Sequence, residues 1–199
     1  KYPVRRVRDE RDTADGPRAP AWTAPKIGPG PFDFETWEQR KLHVDVVARG
    51  LADPRAIEFL PDGSILVSER AGPLRILRDG KLDPRPVAGT PKSVALGTGT
   101  GFMDIALHPD FKTNGLIYIS YHKPHDDLGS NAIFRGRWNG KEIVDGKDIF
   151  LSRDVDALYS RLAFGPDGKL YATIGCPGVG TDDSIGRAQK PNDFAGKVL

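Results

Sequence analysis

Cysteine is nearly absent from this chain of 199 residues: Cys176 stands alone, so no internal disulfide can form, and neither a reducing nor an oxidising compartment is excluded. Long hydrophobic runs are also missing. No apolar stretch approaches the roughly 18 residues that a membrane-spanning helix needs. Nor does one sign of charge dominate. The 29 Lys and Arg against 27 Asp and Glu leave a formal charge of +2, too thin a field for a nucleic-acid partner. The chain opens at Lys1 with neither a methionine nor an apolar signal core, the pattern of a processed chain, and export is compatible with it.

What the sequence does have is punctuation. Its 23 glycines and 17 prolines cut the apolar segments into short lengths, the habit of an all-β chain. Residues 1–41 carry prolines at positions 3, 17, 20, 25, 29 and 31 without a periodic apolar face, and read as an extended arm. Tyr2, Trp22, Phe32, Phe34 and Trp37 are its candidate anchors to a surface.

From residue 42 onward one pattern recurs: an apolar strand, a turn on Pro-Asp, and a second strand rich in β-branched and aromatic residues. Its copies centre on Phe59-Leu60-Pro61-Asp62-Gly63, on His108-Pro109-Asp110-Phe111 and on Phe164-Gly165-Pro166-Asp167-Gly168. The prolines fall 48 and 57 residues apart, close to the ~40–50 residue period of propeller blades. Outer hairpins are signalled by Asp79-Gly80 and Asn139-Gly140, since both dipeptides tolerate the positive φ of a tight turn. The expected fold is an all-β propeller, with blades at about 42–90 and 91–152 and a partial one at 153–199. Two and a half blades leave open sheet faces, so the remaining blades are expected from further polypeptide or another subunit.

Several segments resemble the glucose/sorbosone dehydrogenase family, the soluble quinoprotein sugar dehydrogenases. They are Gly50-Leu51 with Pro54, Ile65-Leu66-Val67-Ser68-Glu69-Arg70, Met103-Asp104-Ile105-Ala106-Leu107-His108-Pro109-Asp110-Phe111, Ile117-Tyr118-Ile119-Ser120-Tyr121, Arg135-Gly136-Arg137-Trp138 and Arg161-Leu162-Ala163-Phe164-Gly165-Pro166-Asp167-Gly168. The resemblance implies a six-bladed propeller, periplasmic or secreted, that binds pyrroloquinoline quinone (PQQ) with calcium and oxidises a sugar or other alcohol. It implies a histidine base four residues before Arg161 and an aspartate after Ile174-Gly175. This chain has Ala157 and Cys176 at those positions, and Gly99 where a glutamine is expected.

In a propeller, the loops before the inner strands and after the second strands open on one rim around the central channel, where polar groups converge on a ligand. The matching residues give the candidate site. Arg55, Arg70, Thr98, Thr100 and Tyr121 are the expected cofactor contacts, and Cys176, Arg161 and Tyr159 the expected catalytic groups. Glu69 falls on the same rim. Arg161 has two readings, an anion clamp or a brace between inner strands. Cys176 is either a nucleophile or ligand, or an inert small hydrophobe. His122 and His125 share a loop and have the donor chemistry of a zinc or copper site, against the plainer reading of solvated loop histidines. His108 is expected to bond within its own turn. Two further readings stand beside the oxidoreductase: a non-catalytic propeller that binds a ligand or partner, and an enzyme with different chemistry built on Cys176.

Overall fold

A computed structural model describes residues 28–38, 40–95, 100–124, 129–152, 160–175 and 186–199. The chain divides into two compact units, Lys1–Val46 and Val47–Leu199. In the first, β1 (Phe32–Phe34) pairs antiparallel with β2 (Leu42–Val44), in the register Phe32 to Val44. The apolar segment at residue 42 therefore finds its partner in the arm rather than in a blade. His43 Nδ1 lies 2.7 Å from Asp33 Oδ1 across this pair, and Trp37 is fully exposed.

The second unit contains three antiparallel sheets in chain order. Sheet one comprises β3 (Pro54–Phe59), β4 (Ile65–Glu69), β5 (Leu74–Arg78) and β6 (Lys81–Leu82). Sheet two comprises β7 (Phe102–Leu107), β8 (Leu116–Lys123), β9 (Ser130–Trp138) and β10 (Ile143–Leu151), and sheet three β11 (Ser160–Phe164), β12 (Leu170–Ile174) and β13 (Lys197–Val198). Each sheet runs in sequence order from β3, β7 or β11, and these three inner strands are neighbours, the arrangement of propeller blades around an axis.

Local chemistry explains the repeated turns. In the first, the Leu60 N–H donates to Ser64 O at 2.8 Å, Asp62 Oδ1 accepts the Ser64 N–H at 2.9 Å, and Gly63 takes φ 85°. The third copy repeats the device, with Asp167 Oδ1 accepting the Lys169 N–H and Gly168 at φ 75°. Proline presets the turn, the aspartate closes it and glycine supplies the left-handed residue. In the middle copy no glycine follows Asp110, and one helical turn, α1 (Phe111–Asn114), spans the gap before Gly115 ends it at φ 65°. Asp79 and Gly80 both have positive φ, as a type I′ turn requires. The Asn139-Gly140 hairpin is wider than a two-residue turn: Trp138 pairs with Ile143, and Asn139 Oδ1 accepts the N–H groups of Lys141 and Glu142.

Two cores hold the sheets together. Leu66, Leu74 and Ile76 of sheet one pack with Ile105, Ile117, Ile119 and Phe134 of sheet two. A smaller cluster of Ala106, Tyr118 and Ile133 with Leu162 and Ala172 joins sheets two and three. The alternation of strands sends the other residues outward. Ile57 and Phe59 lie on the face of sheet one turned away from sheet two, and Tyr171 on the corresponding far face of sheet three, all of them exposed. Open apolar blade faces of this kind are the surfaces a propeller covers with its next blade.

Candidate functional site

The rim of sheet one is built on a single carboxylate. Asp53, at φ 50°, receives Arg70 Nε on Oδ2 and lies 3.3 Å from Arg55 Nε through Oδ1. The Arg70 hydrogen bond is the main reason that the Asp53 carboxyl sits below its ordinary range, with the charge of Arg55 adding to it. Gly101 fastens sheet two to this corner: Phe102 N donates to Arg70 O at 3.0 Å, and a Cβ on Gly101, whose φ is 104°, would stand 2.1 Å from that carbonyl. Only glycine fits the glycine-rich approach there.

Below the rim, the three inner strands are tied by Arg161. Its Nη1 lies 3.4 Å from Arg55 O, 3.2 Å from Met103 O and 3.3 Å from Asp104 Oδ1, while Asp104 Oδ2 accepts the Leu162 N–H at 2.7 Å. One guanidinium thus touches all three blades, and a largely buried carboxylate anchors it. The geometry supplies the bracing contacts of the two Arg161 readings. Glu58 of β3 stands near Asp104, and burial first, then the charge of Asp104, raises its carboxyl above the ordinary range.

Other expected rim residues are buried. Tyr121 is buried in the first core, stacked against Phe102 with ring centroids 6.1 Å apart, and its hydroxyl donates to Asp148 Oδ1 at 2.8 Å. Burial and that carboxylate push its ionisation far above the usual phenol range, so it stays a donor. Neighbouring positions on β8 alternate between two seams, and Tyr121 enters the one shared with sheet one. His122 takes the opposite face and is equally buried. Thr100 and Glu69 are buried as well, and Glu69 Oε1 accepts the Ala52 N–H at 2.7 Å. His108 is structural, with Nδ1 accepting the Asp110 N–H at 3.0 Å and its ring edge-on to Phe164. Thr98, Gly99, His125, Ala157, Tyr159 and Cys176 lie outside the described residues. Among the described residues, no three His, Cys, Asp or Glu side chains are grouped to hold a metal.

Two acids that sequence reasoning passed over, Asp53 and Asp104, organise the arginines that it singled out. Asp104 carried a readable signal, an acid interrupting the apolar run Phe102-Met103-Asp104-Ile105-Ala106-Leu107.

Consecutive antiparallel sheets on neighbouring inner strands define blades of a β-propeller. Residues 51–199 match the glucose/sorbosone dehydrogenase family model, and the chain belongs to that family. It is 31% identical over 166 residues to the aldose sugar dehydrogenase YliI of Escherichia coli, covering 79% of this chain and 43% of that protein. It is 30% identical over 178 residues to the mouse Hedgehog-interacting protein, covering 79% of this chain and 25% of that one. In structure it resembles the PQQ-bound aldose sugar dehydrogenase of Streptomyces coelicolor, with a TM-score of 0.60, 29% identity and coverage of 77% of this chain and 45% of that chain. The chain thus spans less than half the length of these relatives. Among the described residues no helix is long and apolar enough to cross a membrane.

Proposed function

We propose that this chain forms the opening blades of a periplasmic or secreted quinoprotein-type propeller that binds PQQ and acts on a sugar or other alcohol. The observation that carries the reading is family membership across residues 51–199. The rim of sheet one supports the reading by its donor chemistry: Arg55 and Arg70 stand together on Asp53, and guanidiniums are the groups that hold the carboxylates of an acidic quinone. Calcium enters through family resemblance alone, since the described residues offer it no ligand cluster.

When bound, PQQ supplies a hydride acceptor. On the protein side, Arg55 and Arg70 would hold the cofactor's carboxylates and Thr98 would add a hydroxyl, while Arg161 keeps the inner strands at fixed spacing. Tyr159 and Cys176 are the groups proposed to face the substrate. A base is needed to take the alcohol proton as hydride leaves, and Ala157 cannot hold one. Proton removal through the family's usual pair is therefore blocked by Ala157 and Cys176. That substitution favours a second reading, a propeller that binds a partner without turnover. The Hedgehog-interacting protein, named for binding rather than catalysis, supports it.

Titration of the protein with PQQ in the presence of calcium, followed by an aldose oxidation assay with an artificial electron acceptor, separates the two. Saturable PQQ binding that weakens at least tenfold in Arg55→Gln/Arg70→Gln supports the quinoprotein reading. Absence of binding rejects it and leaves the partner-binding propeller and the Cys176-based enzyme.

A further inference from the structure

The seam between sheets two and three changes character toward the rim. Further along, it is apolar, built from Ala106, Tyr118, Ile133, Leu162 and Ala172. At the rim end three polar side chains stand in a row across sheet two: His122 on β8, Asn131 opposite it on β9, and Ser152 just past β10, whose N–H donates to Asn131 O at 2.8 Å. His122 and Asn131 are 2% exposed and Ser152 is 3% exposed. Ser120, two positions before His122 and on the same face, reaches Ser160 O of sheet three at 3.4 Å, so the row is turned into the seam.

His122 and Ser152 are engaged by neighbouring groups. Among the described residues, neither Oδ1 nor Nδ2 of Asn131 has a hydrogen-bond partner, and both atoms are sealed from bulk solvent. Exchanging amide oxygen and nitrogen changes nothing, because both ends are unmatched. A buried amide left this way costs about 1–3 kcal/mol per group, and more than ~90% of buried polar groups in folded proteins are partnered. Asparagine is also a poor strand former, so neither propensity nor packing explains its place in the middle of a sheet. The side chain has to be matched by a guest that both donates and accepts.

We propose that Asn131 holds a buried water molecule in the second seam, beneath the rim. Water offers two donors and two acceptors in the smallest volume, and buried waters typically make about three hydrogen bonds to otherwise unmatched groups. A larger hydroxylic ligand has no path to a side chain sealed at this depth, and an amide without grouped acids or imidazoles is a weak metal site. The seam is then wet at the rim and dry further along, which makes the third blade the less firmly seated of the two contacts. The inference is independent of the cofactor reading.

The test is a high-resolution crystal structure of the protein, paired with thermal unfolding of Asn131→Leu, a near-isosteric apolar replacement. The account predicts a water within hydrogen-bonding distance of both Asn131 Oδ1 and Nδ2. It also predicts that leucine lowers Tm by about 2–4 °C, because the water loses its principal ligand. A dry amide in the crystal overturns the proposal, as does a leucine variant with a raised Tm. Should Asn131→Leu fail to fold, the density at the wild-type amide decides.

Discussion

The two seams between blades are built on one plan from different materials. The first joins sheets one and two through Leu66, Leu74, Ile76, Ile105, Ile117, Ile119 and Phe134, all buried. The second has five buried apolar residues, and toward the rim it gives way to Ser120, His122, Asn131 and Ser152. Both lie under the same inner-strand tie, in which Asp104 grips Arg161 and the Leu162 N–H. The difference teaches that blade-to-blade cohesion here is graded: apolar burial seats the second blade on the first, and polar anchoring contributes more to the seating of the third.

Three substitutions and one titration sharpen that contrast, in order of expected size. Ile119→Ala empties a site with no exposure in the first core, and should cost about 2–5 kcal/mol in denaturant unfolding, with the urea midpoint falling accordingly. Leu162→Ala in the second cluster should cost less than that value, and an equal or larger loss would erase the distinction between the seams. Asp104→Asn keeps the shape but removes the charge that holds Arg161 across all three strands. It should cost about 1–3 kcal/mol, with a steeper loss in protection of the Leu162 amide from hydrogen exchange than of the Ile76 amide.

The smallest effect is expected from Glu58. Its folded pKa is raised above the ordinary 4.5 by burial and by Asp104. The stability it contributes is fully present below the unfolded pKa and is lost as pH rises through the folded one. Glu58→Gln should therefore flatten that part of the stability profile and leave the protein slightly more stable near neutrality, by less than about 1 kcal/mol. Unchanged pH dependence in the variant would show that folding does not raise the Glu58 carboxyl, by burial or by Asp104. Asp53 has the opposite sign: its lowered pKa adds stability above the unfolded value of 3.8 that fades as pH falls, though solvent screens an acid so exposed.

The blade plan was legible because it is carried by turn chemistry. Pro61-Asp62-Gly63 and Pro166-Asp167-Gly168 form nearly identical turns, and the residue types dictate them without help from the rest of the chain. The site was less legible. Tyr121 reads as a rim residue by its position at the end of a strand, yet β8 is buried on both faces. With no polar face to contrast, the sequence cannot tell which seam a side chain enters. Asp53 and Asp104 act through partners 17 and 57 residues away, and no local pattern encodes such pairings. Leu42–Val44 has the composition of a blade strand, but pairing is decided by the nearest available edge, which β1 supplies.

The central proposal is a propeller that binds PQQ while lacking the family's base at its usual place. Its most direct test is aldose oxidation by the PQQ- and calcium-loaded protein, compared between the wild type and Ala157→His/Cys176→Asp. The account predicts PQQ binding by both and a rate at least tenfold higher in the double variant, within the ~10²–10⁴-fold worth of a positioned base. Equal oxidation rates, with the wild type already fast, would contradict it.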